Sequence, residues 1–274
     1  ISASTGHAFS VAALAGSVVI AGTTLTSTLL SGVALHAAIS GSLAITSVTI
    51  TATTATNGHG IESTATHTGS ISVTDTSIAS GYAGIWLGGA LSSAKLSLTH
   101  VTMTGGDYGL RVDAVATSAI TIVEGSFAAT SSAVLVDTFD AAATISVTKA
   151  TLSGLSSIEV AAADLAGTLA IESAALACTN RCLDMQDVSG TVAISLSTLT
   201  HPSSGNLVKA FGKLVGASIR IAKSELKGGL VFDENVDSAS SVTLDAVRFT
   251  MTGSIALLKT GTAGIWQGAL VLRK

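Results

Sequence analysis

Aromatic residues, proline and charge are all scarce in this chain, and each scarcity removes a class of protein. Only 4% of the 274 residues are aromatic, so the aromatic girdles that mark an outer-membrane barrel are missing. Charged residues make up 11%, with 13 Lys and Arg against 17 Asp and Glu, and no basic cluster. Nucleic acid, whose phosphates demand a basic footprint, is therefore not an expected partner. The most apolar early stretch, "AFSVAALAGSVVIAG", contains polar breaks and is shorter than the roughly 20 residues of a spanning helix. No membrane span is expected. A leader pattern and an initiator Met are also missing, so residues 1–274 are expected to form a single domain that is an excerpt or a processed part of a longer chain.

Cysteine is nearly absent too. Cys178 and Cys182 in "CTNRC" are the only two. With no neighbouring His or second Cys pair, zinc would be under-ligated, so no metal is expected there. A small disulfide loop, two free thiols and a redox pair remain open. The disulfide is the reading adopted, and it suits an oxidising, extracellular setting.

What is present is a repeat. In "TISVTKATLSG", Val147 has an apolar residue two positions earlier, Ile145, and another five positions later, Leu152. The same triplet recurs as Val18/Ile20/Leu25, Leu43/Ile45/Ile50, Ile71/Val73/Ile78, Leu96/Leu98/Met103 and Ile120/Ile122/Phe127. It continues as Leu169/Ile171/Leu176, Val192/Ile194/Leu199, Ile219/Ile221/Leu226 and Val242/Leu244/Phe249. The middle residue of each triplet serves as an anchor, and anchors lie 23 to 28 residues apart. About a dozen residues after many anchors comes a second alternating segment: "GIWLG" at 84, "GLRVD" at 109, "AVLVD" at 133, "SIEVA" at 157 and "CLDMQ" at 182. A third apolar position follows, as at Val115, Leu165, Val188 and Leu214. Period-two alternation marks half-buried strands. Two or three short strands per repeat, joined by Gly/Ser/Thr turns with no helix-length amphipathic run between them, describe one rung of a coil. A single rung cannot bury its own apolar residues, but stacked rungs bury them as continuous columns. The expected fold is all-β, a single-stranded parallel β-helix of ten to eleven rungs.

These ten triplets and the "GLRVD"-type segments resemble the right-handed parallel β-helix family, the pectate-lyase-like superfamily and its non-enzymatic relatives in adhesins and giant surface-repeat proteins. Right-handedness is what the resemblance implies. It implies little about activity, because one fold hosts lyases, hydrolases and passive stalks. Glycosidases of the family typically carry an adjacent Asp pair, a Gly-His motif and an Arg-x-Lys motif. "NGHGIES" at 57 and "RIAK" at 220 are similar only superficially: the Asp pair is absent, the Arg–Lys spacing is wrong and the two stretches lie several rungs apart.

Candidate chemistry gathers in two adjacent rungs. Trp86 and Arg111 each lie 13 residues past their anchors, between inward-facing Ile85/Leu87 and Leu110/Val112, so both are expected to point outward, one above the other. With Tyr82 and Tyr108 they form a candidate binding patch for a sugar ring or a partner protein, with a cation–π contact open to Arg111. Asp113 and Asp137, each 15 residues past an anchor, form a candidate cation site of paired carboxylates. "AGIWQGAL" near residue 266 falls at a different phase and is not a second copy. No nucleophile elbow, phosphate loop or zinc-protease motif occurs, and the six His are expected at surface or turn positions. No catalytic residue, cofactor or metal is assigned.

The residues flanking each anchor on the outside are small and neutral: Ser72/Thr74, Ser97/Thr99, Thr121/Val123 and Ser146/Thr148. The expected role is a structural or adhesive segment of an extracellular surface protein or filament that packs against itself or its neighbours. A polysaccharide-binding or polysaccharide-degrading protein is the alternative. An ice-binding solenoid is third, weakened by Val19, Ala44, Val123 and Glu172 in the outward columns.

Overall fold

The computed structural model describes the whole chain except residues 13, 162–163, 203–204, 251–258 and 261–264. Among the described residues there is no helix, and parallel strands stack into a β-solenoid of about 10 turns. Each anchor lies in a strand of one continuous sheet that runs from Ser17–Ala21 through Thr144–Thr148 to Ala269–Arg273, eleven strands in all. Pairing is in register along this anchor side, so Ile120 sits on Ile145 and Ile122 on Val147. The alternation of the sequence becomes alternation of burial: Ile145 and Val147 are buried, while Ser146 and Thr148 face outward.

The third member of each triplet starts a second side. Leu25, Ile50, Ile78, Met103, Phe127, Leu152, Leu176 and Leu199 pair one on the next. Phe127, with Phe139 and Phe232, is among the largest fully buried side chains. The alternating second segments form the third side, in which Trp86 pairs with Arg111, Arg111 with Leu135 and Leu135 with Glu159. Single bridges then close each turn, linking Phe139 to Leu165, Leu165 to Val188 and Val188 to Leu214. Trp266 belongs to this closing column, bridged to Val236. That is a different phase from Trp86, although "AGIWQGAL" opens outside the described residues.

Two rungs lack a separate corner between the second and third sides. Strands Thr151–Val160 and Ala175–Met185 run through both, with a register shift between Gly154 and Ser156. The chain there is held by the Cys178–Cys182 disulfide, whose Cα atoms are 5.0 Å apart. Both cysteines are buried.

The corner after every anchor strand uses a left-handed residue two positions past the anchor. Gly22, Ser47, Asp75, His100, Glu124, Lys149, Ser173, Leu196, Lys223 and Ala246 all have φ between 49° and 58°. Nine of these ten are not glycine, and each non-glycine costs roughly 1–2 kcal/mol in this conformation. The stack tolerates the cost because each N–H still continues the ladder: Glu124 donates to the Thr148 carbonyl and Lys149 to the Glu172 carbonyl, both at 2.9 Å. At Gly41, just before an anchor strand, the rungs approach so closely that glycine is required. A Cβ on Gly41 would lie 1.8 Å from the Gly16 carbonyl oxygen.

Two histidines depart from the surface positions expected of them. His67 is fully buried in the closing column, where its Nδ1 accepts from the Ile39 N–H at 3.0 Å and its Nε2 meets Ser63 Oγ at 2.8 Å. Burial holds its pKa below the ordinary histidine value, and the Ile39 contact requires the neutral tautomer protonated on Nε2. His59 is the second, and it belongs to the site.

Candidate functional site

The three sides of the rod differ in what they show to solvent. The anchor side carries Ser72, Ser97, Thr121, Ser146 and Ala170 in one outward column. The second side is equally plain through its first rungs, with Thr24, Thr49, Ser77, Thr102, Ser126 and Thr151 in register, before Glu225 and Arg248 enter the same column. On the third side the outward column reads Ala34, Glu62, Trp86, Arg111, Leu135, Glu159, Asp184 and Lys209. Exposed aromatic side chains are therefore concentrated on this side, where they stand among charged groups.

Trp86, Arg111, Tyr82, Tyr108, Asp113 and Asp137 do come together there, but in an arrangement the spacing did not specify. Arg111 is the hub. Its Nε donates to Asp113 Oδ1 at 3.2 Å, its Nη1 to the Tyr82 hydroxyl at 3.0 Å, and its Nη2 to Asp137 Oδ2 at 3.5 Å. The guanidinium stands over the Tyr108 ring, 5.4 Å from the centroid, so its aromatic contact is with Tyr108. Trp86 instead donates its indole N–H to Asp113 Oδ1 at 3.3 Å. The positive charge between Asp113 and Asp137 is thus Arg111 itself, which takes the place a cation was expected to fill. Among the described residues no group of three or more His, Cys, Asp or Glu is arranged to hold a metal ion.

His59 lies beneath this cluster at 3% exposure. Its ring stacks on Trp86 with centroids 4.8 Å apart and meets Tyr82 edge-on at 5.3 Å. Burial lowers its pKa, with Glu62 opposing that shift from 3.8 Å. Its Nδ1 is buried with no hydrogen-bond partner among the described residues. The register that pairs Glu62 with Trp86 brings "NGHGIES" into the patch, whereas Arg220 and Lys223 of "RIAK" lie on the anchor side and its corner. Leu135, outward by position, is only 5% exposed beneath its neighbours Arg111 and Glu159.

Further along the same side is a second cluster that the spacing gave no reason to single out. Phe211 carries Lys209 Nζ 3.9 Å and Arg181 Cζ 4.3 Å from its ring centroid. Asp233 holds Lys209 at 2.6 Å and Asp184 holds Arg181 at 2.7 Å. The only advance signal was in the repeat register, where Lys209 takes the position of Arg111 and Arg181 that of Tyr108. A groove of about 660 Å³ follows the corner between the second and third sides, lined by Leu155, Cys178, Pro202 and uncharged neighbours. No family model, curated protein or solved structure matches this chain.

Proposed function

We propose that this chain is a structural, adhesive segment of an extracellular surface protein or filament, built as a right-handed β-helix of the pectate-lyase-like type without enzymatic activity. The observation that carries the reading is the contrast between the sides. Over much of their length two carry ladders of Ser, Thr and Ala suited to close lateral packing, and the cations of the third are each paired with carboxylates instead of converging on a reactive centre. The buried disulfide supports an oxidising compartment. Glycan recognition at Trp86 is the weaker reading, because one face of its indole rests on His59 and the ring edge crosses Gly88, where a Cβ would lie 2.7 Å from Trp86 Cζ2.

The test is negative-stain microscopy of the purified chain beside a cleavage assay on acidic and neutral polysaccharides. Ten spacings of roughly 4.8 Å predict rods of about 50 Å, associating side by side or end to end, with no release of reducing ends. A compact monomer that degrades polysaccharide would overturn the proposal.

A further inference from the structure

The third side has an imbalance that the two plain sides lack. From Glu62 to Asp233 it carries six carboxylates, Glu62, Asp113, Asp137, Glu159, Asp184 and Asp233. The cations between them are three, Arg111, Arg181 and Lys209, which leaves a surplus of three negative charges in a chain whose net charge is −4. This side of the rod is therefore net acidic.

Donors and acceptors are also unequal. Each cation is already committed: Arg111 to Asp113 and Asp137, Arg181 to Asp184, Lys209 to Asp233. The Trp86 indole N–H is taken by Asp113 and the Ser132 hydroxyl by Glu159. Glu159 meets no cation among the described residues. What this side offers a ligand is surplus acceptor capacity on partly exposed carboxylates, beside the rims of Trp86, Tyr82 and Tyr108. A neutral sugar needs donors and acceptors in similar number, because each hydroxyl does both. A guanidinium or ammonium only donates, and it is favoured further by aromatic surface. Trp, Tyr and Arg clustered in one place are also the residue types that dominate protein–protein hot spots. His59 adds an independent sign. Its Nδ1 lies unpaired beneath two aromatic rings, and the residue is only 3% exposed.

We propose that the third side, from Trp86 to Glu159, binds an arginine- and lysine-bearing segment of a partner protein laid along the rod axis. This rests on the adhesive reading and names the partner that reading lacks. Three rung steps separate Trp86 from Glu159, roughly 14 Å at the inter-strand spacing, which an extended peptide of a few residues spans.

Fluorescence anisotropy with labelled hexa-arginine, hexa-lysine and hexa-glutamate peptides, and with cellohexaose as a neutral competitor, tests this at low and at physiological salt. Hexa-arginine is expected to bind tightest and hexa-glutamate not at all. Glu159→Gln, which keeps the Ser132 contact and the fold, and Asp137→Asn are each expected to weaken binding about two- to five-fold, the range for partly exposed ion pairs. Trp86→Ala is expected to erase the preference for arginine over lysine. Asp75→Asn and Glu172→Gln, which lie off this side, are expected to leave binding unchanged. Equal weakening by Asp75→Asn and Glu159→Gln would reduce the effect to diffuse charge and overturn the proposal. So would absence of peptide binding, or displacement by cellohexaose. Rods that persist while peptide binding fails would remove the partner but not the adhesive role, whereas a compact degrading monomer would remove the adhesive role itself.

Discussion

Replacing Ser173 by glycine should relieve a backbone strain that recurs at one corner of every rung. Ser173 has φ 54° and is exposed, and its hydroxyl makes no hydrogen bond among the described residues, so the backbone dominates the change. Leaving the left-handed region to a glycine removes about 1–2 kcal/mol of strain. Glycine's greater loss of freedom on folding returns about 0.5–1 kcal/mol of that. The balance is a stabilisation of about 0.5–1 kcal/mol, or roughly 2 °C in Tm for a chain of this size. Ser173→Val, which sets a β-branched residue in the same conformation, should destabilise by a similar amount or more. The control is two residues on: Ala175 is an exposed position at the start of strand Ala175–Met185, and Ala175→Gly should destabilise by about 0.5–1 kcal/mol. Guanidinium unfolding followed by circular dichroism reads all three, with hydrogen exchange of the surrounding rung amides reporting the local effect. Ser173→Gly and Ala175→Gly shifting together in the destabilising direction would refute the left-handed corner and, with it, the way the rungs are joined.

Other outcomes follow from the same geometry. His100 is held by Glu124 at 2.6 Å and Asp75 at 3.0 Å, and these hydrogen bonds raise its pKa, Glu124 first. A raised folded pKa means that the contribution is complete below the ordinary histidine value of about 6.5 and fades as pH rises through the folded pKa. An NMR titration of His100 that falls at or below the ordinary value would contradict this, and His100→Gln should flatten the pH dependence of stability in that window. Gly41→Ala places a methyl against the Gly16 carbonyl and should cost more than about 2 kcal/mol, read as a lowered denaturation midpoint. Phe127→Ala empties a fully buried position and should cost about 3–5 kcal/mol in the same assay. Reducing the Cys178–Cys182 bond opens only a short loop, so the loss should not exceed about 2 kcal/mol in a melt with and without reductant.

Which parts of this structure were legible in the sequence depends on whether a position constrains residue type. The inward columns do, since Ile145, Val147 and Leu152 must be apolar, and the anchor and second sides follow directly from the triplets. The left-handed corner does not. Its occupants include Ser, His, Lys, Leu and Ala, because what stabilises it is a backbone hydrogen bond to the next rung and not a side chain. The fusion of two sides in Thr151–Val160 was hidden for the same reason: "TLSGLSSIEV" has the composition of strand and turn alike. For the site, period two placed Trp86 and Arg111 on one outward column correctly. It could not show that Arg111 reaches Asp113, Asp137 and Tyr82, or that His59 tucks under Trp86, because those choices are made by side-chain rotamers across neighbouring rungs.

The stacking of rungs is the claim on which everything else depends, and distances between spin labels test it most directly. Ala44, Ser146 and Ala193 lie in one outward column of the anchor side, four rung steps separating the first two and six separating Ala44 from Ala193. Nitroxides at Ala44 and Ser146 should lie about 19 Å apart, and those at Ala44 and Ala193 about 29 Å apart. Distances that do not grow by about 5 Å per rung would contradict the solenoid and the three sides built on it.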